Sequence, residues 1–539
     1  MKHMFGWVAV AVALSACGSR EPAQPDYTAR GQQDWEHVKI LADDSMEGRR
    51  AGTPGHRRAA EYVAEQFKKA GLAPGAEEGY FQAVNLEKRA IREDLSSLAL
   101  VTPRGVEPLK LGDDAILNLR GNFASKEVEA PIVFIGHGLR LPEYGHDDLT
   151  GIDLKGKVVA YITSAPKSVP GAAGAHFGAA SERWQQYHAA GAIGVLTIPN
   201  PYAMDLPWER IAAARTNPTM RLAAPAADLF PDQQVWAGLN PARFGRLLEG
   251  TGHSEQELLA KIEKGEALPR FDLKVRLRAR TVADSSTTVS ENVVGVLKGS
   301  DESLSAEYVV LSGHLDHLGI SGTGEGDRVN NGAMDNATGI ATLIEVAKRL
   351  GAGKPKRSVV FAAVTAEESG LLGSRAYAEN AARTGMNIVA NLNSDMYMPI
   401  YPMKRVIVFG LDESSLGEDA RAIAAELGVE PIPDPQPERN RFIRSDQYSF
   451  IRTGVPALSL KIGFAPGSPE EKIDEQWFKE RYHAPSDDLA QPVDFGAMGL
   501  YGDFVQRLTL RVANAAQAPA WRDTSVFATI PKAASKAAK

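Results

Sequence analysis

The sequence predicts an α/β protein: a mostly parallel mixed sheet flanked by helices, with a β-rich domain inserted into it. Three observations carry this reading. After Ser290, short apolar runs at 292–297, 308–312, 358–364, 388–393, 405–409 and 457–462 alternate with helical stretches such as 337–350 and 370–379. Runs that are apolar throughout read as strands covered on both faces, the habit of parallel sheets. Between about 130 and 200 the texture differs: β-branched runs at 131–135, 157–162 and 192–198 are separated by Gly and Pro, with one helix over 181–190. Finally, 539 residues leave room for two or three domains.

Composition sets the outer limits. Hydrophobic residues make up 44% and charged residues 24%, which excludes wholesale disorder and a polytopic membrane protein. With 60 basic and 67 acidic residues, the net charge of −7 provides no basic field for nucleic acid. Cys17 is the single cysteine, so no intrachain disulfide and no thiolate zinc site can form.

The chain opens with Lys2, an apolar stretch over 5–14, and Leu14-Ser15-Ala16-Cys17. A basic start, a short apolar core and small residues before a cut describe a secretory signal. The stretch is too short for a transmembrane helix, which needs about twenty apolar residues. The tetrad resembles the lipobox of bacterial lipoproteins. That resemblance implies a signal peptide over 1–16, lipid on Cys17, export and a membrane anchor. Gly18 and Ser19, with no Asp following the cysteine, point to the outer membrane, facing the periplasm or the cell surface. Residues 17–28 read as a tether.

Residues 29–115 read as the first part of the main domain. Thr53 caps a helix that begins with Pro54 and repeats Ala59, Tyr62, Val63, Phe67 and Ala70 at helical spacing up to Gly71. Residues 116–285 read as the insertion. Its segments 151–159 and 189–196 resemble the protease-associated domain, a β-rich module inserted in several peptidases. Residues 286–516 carry the strand–helix alternation, and 517–539, rich in Ala, Pro and Lys, read as a disordered tail.

In open α/β sheets, ligands bind at the carboxyl ends of strands. Here those ends carry His314-Leu-Asp316-His317, Thr365-Ala-Glu367-Glu368 and Asn393-Ser-Asp395. Asp335 precedes the helix at 337–350, and His483 lies in a later loop. Imidazoles and crowded carboxylates form a metal-ligand inventory. Three carboxylates and two imidazoles exceed one tetrahedral zinc and suit two ions sharing a carboxylate.

These segments, with Met334-Asp335-Asn-Ala-Thr-Gly339, Glu367-Glu368-Ser-Gly-Leu-Leu-Gly373, Ser445-Asp446, Tyr482-His483 and the opening Glu47–Gly55 stretch, resemble the M28 zinc aminopeptidases and carboxypeptidases. The resemblance implies two Zn2+ ions. His314 and Asp395 would bind one, Glu368 and His483 the other, and Asp335 both. Glu367 would be the general base, Tyr482 would donate to the oxyanion, and Asp316 would accept the far N–H of His314. The Asp335–Asn336 peptide bond would be cis. His317 is set aside as a ligand, because His314 directly follows the strand.

Gln447 stands where relatives often carry His, which points to altered substrate contacts. Arg439, Arg441 and Arg444 read either as a solvated loop or as a substrate-facing basic patch. The expected function is removal of N-terminal residues from peptides. The alternatives are a carboxypeptidase of the glutamate-carboxypeptidase type, a one-zinc glutaminyl cyclase, and a non-catalytic peptide-binding lipoprotein.

Overall fold

The computed structural model describes residues 25–77, 79–224, 228–321, 325–351 and 353–532. The expected signal peptide, Cys17 and most of the tether lie outside the described residues. No helix among the described residues is long and apolar enough to cross a membrane.

The main sheet contains β1 (Phe81–Ile91), β2 (Thr219–Leu222), β3 (Ala283–Leu297), β4 (Glu307–His314), β5 (Ser358–Val364), β6 (Asn387–Ser394), β7 (Arg405–Phe409), β8 (Glu430–Ile432) and β9 (Ala457–Gly463). Their spatial order is β2-β1-β3-β5-β4-β6-β9-β7-β8, with a short Ala73–Pro74 segment also paired to β3. The four central strands β5, β4, β6 and β9 are parallel; β3 and β7 flank them antiparallel. Successive side chains on a strand point to opposite faces. Val309, Leu311, Val359, Phe361 and Ala363 join one core cluster. Val310, Val360, Ala362 and Val364 join the cluster on the other side. That two-sided burial is why apolar residues run consecutively along these strands instead of alternating with polar ones.

Helices cover both faces. On the first lie α1 (Tyr27–Leu41), α2 (Pro54–Lys69), α3 (Thr338–Gly351) and α5 (Phe495–Asn514); on the second lies α4 (Leu372–Thr384). Thr53 caps α2 by accepting the His56 N–H at 3.4 Å, and Ala59, Ala60, Val63 and Phe67 are its buried stripe.

A second sheet forms the inserted lobe. Gly105–Pro108, Ser97–Thr102, Phe271–Arg280, Val128–Phe134, Val158–Thr163, Gly194–Pro199, Val235–Leu239 and Ala115–Leu117 lie side by side in that order. The lobe therefore starts near Ser97 and ends at Arg280, rather than spanning 116–285. Leu98 and Leu100 are buried in its own core with Leu277 and Ala279, so their strand belongs to it. The chain also leaves the lobe once, when β2 pairs with β1 of the main sheet.

The expectation of a disordered tail is corrected for residues 518–532. Phe527 is fully buried against Phe442, His176 and Trp521. Trp521 donates to the Gly454 carbonyl at 3.2 Å. Composition misled here: the polar, Ala-rich stretch hides three apolar anchors, Trp521, Val526 and Phe527.

Arg49, within the Glu47–Gly55 stretch, joins the amino-terminal segment to the strand ends. It is 1% exposed and donates to the carbonyls of Leu315 (2.9 Å), Leu41 (2.6 Å), Asn331 (2.5 Å) and Gly332 (2.9 Å). Two of those carbonyls precede Asp335 and one follows His314. Arg49→Met removes all four bonds and leaves buried acceptors unpaired, an expected loss of about 3 kcal/mol or more. Thermal melting should show it. Phe527→Ala should cost about 3–5 kcal/mol in urea unfolding; an unchanged midpoint would mean that the tail does not pack.

Candidate metal centre

Because β5, β4 and β6 are parallel neighbours, their carboxyl ends lie side by side. β4 ends on His314, β5 leads through Thr365 to Glu367 and Glu368, and β6 leads to Asp395. Asp335 sits in the turn before α3, and the Asp335–Asn336 bond is cis. His483 follows the helix Pro469–Glu480. Two glycines permit these approaches. A Cβ on Gly339 would lie 2.2 Å from Asn336 Oδ1 and 2.4 Å from the Ser394 carbonyl; one on Gly373 would lie 2.1 Å from the Thr365 carbonyl.

The side chains converge on Asp335. His314 Nε2 lies 3.3 Å from Asp335 Oδ1 and 3.0 Å from Asp395 Oδ1. His483 Nε2 lies 3.4 Å from Asp335 Oδ2 and 3.3 Å from Glu368 Oε2. Ligand atoms roughly 2.0–2.1 Å from a tetrahedral ion are about 3.3 Å apart. Among the described residues two groups bring their ligand atoms close enough to hold an ion, His314 with Asp335 and Asp395, and His317 with Asp335 and Glu368; His483 stands 3.4 and 3.3 Å from the two carboxylates of the second group, and Asp335 belongs to both. Glu367 belongs to neither set, although its side chain lines the same cavity.

His317, set aside from the sequence, is part of this cluster. Its Nδ1 lies 2.7 Å from Glu368 Oε1 and 3.8 Å from Asp335 Oδ2. The first distance is that of a direct hydrogen bond. His317 thus holds one oxygen of Glu368, while the other faces His483.

The role expected of Asp316 is corrected. His314 Nδ1 meets the backbone carbonyl of Asp316 at 3.0 Å, which makes that nitrogen the donor and leaves Nε2 for the metal side. The Asp316 carboxylate instead accepts the Glu367 backbone N–H at 3.0 Å and so positions the expected base. Gln447 is also corrected: it is fully buried, accepting from Asn393 at 2.9 Å and donating to the Phe442 carbonyl at 2.8 Å, so it does not face substrate.

Sequence reasoning missed two organisers. Asp487 accepts the backbone N–H groups of Met334 (2.9 Å) and Asp335 (3.0 Å). Its only signal was its place four residues after His483. Asn336 donates to the Ser394 carbonyl at 3.0 Å and accepts from Gly339, tying the Asp335 turn to the end of β6. It was visible inside a quoted motif, without a role.

The electrostatics follow from burial. Burial raises the Glu367 carboxyl above its ordinary value; the charges of Glu368, Asp395 and Asp446 push the same way, and His314 opposes them. Burial also works against ionised Asp335, but the imidazoles of His317, His314 and His483 more than offset it and hold Asp335 well below the usual range. Tyr482, whose ring centre lies 3.9 Å from that of His483 with the planes tilted by 30°, is raised well above its ordinary value by burial, so its hydroxyl keeps its proton.

The inserted lobe reaches the site directly. Arg120 donates to the Glu368 carbonyl at 3.0 Å and Arg210 to the Tyr482 carbonyl at 3.2 Å. Asp205 of the lobe pairs with Arg439 at 2.8 Å and also with Arg444. Two of the three arginines left open by the sequence are therefore an inter-lobe clamp.

Comparison with known proteins bears on the part of the chain that carries this site. Residues 292–509 match the model of peptidase family M28. A probable leucine aminopeptidase of Aspergillus oryzae is 29% identical over 212 residues, 37% of this chain and 40% of the relative. A probable glutamate carboxypeptidase of Arabidopsis thaliana is 35% identical over 111 residues, 20% of this chain and 14% of the relative. The chain thus spans less than half the length of these relatives. An aminopeptidase structure from Aneurinibacillus sp. strain AM-1 aligns over 90% of this chain and 95% of its own, with a TM-score of 0.53 and 18% identity, and shares the fold. The matched residues 292–509 carry every side chain of the centre, so the likeness to peptidase family M28 falls on the part of the chain that forms the site.

Proposed function

We propose that the protein is a two-zinc exopeptidase that removes N-terminal residues from peptides. The observation that carries this is Asp335 standing at ligand spacing from both His314 and His483, each imidazole completed by its own carboxylate. In this reading His314 and Asp395 hold one zinc, Glu368 and His483 the other, and Asp335 both. Zinc, when bound, supplies Lewis acidity toward the scissile carbonyl and the attacking water.

The chain's own groups do the rest. Glu367 accepts the proton of the attacking water and returns it to the departing amine. A carboxyl raised by burial is matched to both halves of that transfer. The Asp316 carboxylate fixes where Glu367 stands by holding its backbone N–H. Tyr482 donates to the oxyanion of the tetrahedral intermediate. Glu367 and Asp395 give the acidic lining that receives a free α-ammonium group. The lobe, through Arg120 and Arg210, narrows the approach to Glu368 and Tyr482. A lipidated Cys17, expected from the sequence, would hold this catalytic domain at an exported membrane surface.

The carboxypeptidase reading is second; the likeness to a glutamate carboxypeptidase favours it. Arg439 and Arg444 weaken it, because Asp205 already occupies them. Digestion of free and N-acetylated peptides separates the two. Release of N-terminal residues from free peptides alone is expected; cleavage confined to blocked peptides overturns the aminopeptidase reading. Glu367→Gln should lower kcat by about three orders of magnitude or more while bound zinc, measured by plasma emission, is retained. Full turnover in that variant would remove Glu367 from the role of base.

A further inference from the structure

The cavity that holds the metal-site residues continues past Asp395 into a wall formed by Met396, Phe409, Arg441, Ser459, Lys461 and Phe478, with about 100 Å³ of space. Apolar surface lies beside the metal residues, and positive charge lies on the wall. Of the basic groups near it, Arg439 and Arg444 are paired with Asp205. Lys461 is 4% exposed and sits 2.7 Å from Asp474.

Arg441 differs. Its guanidinium carbon lies 4.8 Å above the Phe478 ring, and the Nζ of Lys461 lies 4.6 Å from the same ring. Both terminal nitrogens of Arg441 are buried, and neither has an acceptor among the described residues. A guanidinium carries five donors and no acceptor, and buried charged donors left unpaired are costly. The planar fork matches a carboxylate with two parallel hydrogen bonds, held here against an aromatic face.

The direction of entry follows from the proposed function, on which this inference rests. With the α-ammonium group at Glu367 and Asp395, the first side chain of the peptide extends into the adjoining pocket. Its wall begins at Met396, the residue after Asp395. A methylene stem would lie against Phe409 and Phe478 and end at Arg441.

We propose that Arg441 receives the side-chain carboxylate of the peptide's first residue, so that the enzyme removes N-terminal glutamate or aspartate in preference to neutral or basic residues. The test compares kcat/KM for peptides X-Ala-Ala, with X as Glu, Asp, Gln, Leu or Lys, using the zinc-loaded full chain. Glu or Asp should exceed the near-isosteric Gln by about tenfold or more, and Lys should be the poorest substrate. In Arg441→Met the Glu-to-Gln ratio should fall toward one, mainly through KM. The wild-type ratio decides the matter even if the variant fails to fold. Gln or Leu released as fast as Glu means that solvent alone satisfies Arg441; this proposal is then overturned while the aminopeptidase reading stands. No N-terminal release from any peptide, with cleavage of N-acetylated ones, overturns both.

Discussion

Asp335, Glu367, Glu368 and Asp395 meet at the ends of three parallel strands, with Asp316, Asp446 and Asp487 buried behind them. Like charges this close cannot all ionise in a buried site unless cations offset them. The protein's own positive charge beside them comes from Arg49, Arg120, Arg444 and the imidazoles of His314, His317 and His483. Burial pushes the carboxyls of Asp316 and Asp446 up to about 7 and raises Glu367 and Asp487 as well. Two divalent ions on either side of Asp335 would balance the cluster. The surrounding architecture can be understood as what keeps these groups together despite their repulsion. Asp487 holds the Asp335 turn by its backbone, Asn336 ties it to β6, and Arg49 grips the loops on both sides.

The inserted lobe belongs to this arrangement and is more than an appendage. It supplies Asp205, whose carboxylate occupies Arg439 and Arg444, and it supplies Arg120 and Arg210, which hold the backbone at Glu368 and Tyr482. The clamp also sorts the basic residues of the cleft: Arg439 and Arg444 are paired between the lobes, whereas the terminal nitrogens of Arg441 have no acceptor among the described residues. A shift of the lobe would move the wall of the pocket and the backbone of two site residues together.

Much of the main sheet was legible in the sequence because strands buried on both faces carry consecutive apolar residues. The runs at 358–364 and 405–409 coincide with β5 and β7. The lobe's first strand, Ser97–Thr102, was not, since it pairs with Phe271–Arg280, far along the chain. The residues brought together at the centre were legible as a motif set, but their hydrogen bonds were not. Nothing in His314-Leu-Asp316 tells whether the carboxylate or the carbonyl of Asp316 faces the imidazole. Likewise, spacing could not reveal that His317 turns back onto Glu368, or that a clustered Arg439 and Arg444 meet an aspartate more than two hundred residues earlier.

The central claim is that this carboxylate cluster is built around two cations that share Asp335. Diffraction data collected on either side of the zinc absorption edge, from crystals grown with zinc, test it most directly. The account predicts two anomalous peaks about 3.5–4 Å apart, one against His314 and Asp395, the other against His483 and Glu368, with Asp335 between them. A single peak, or a second ion bound by His317 in place of His483, would contradict it.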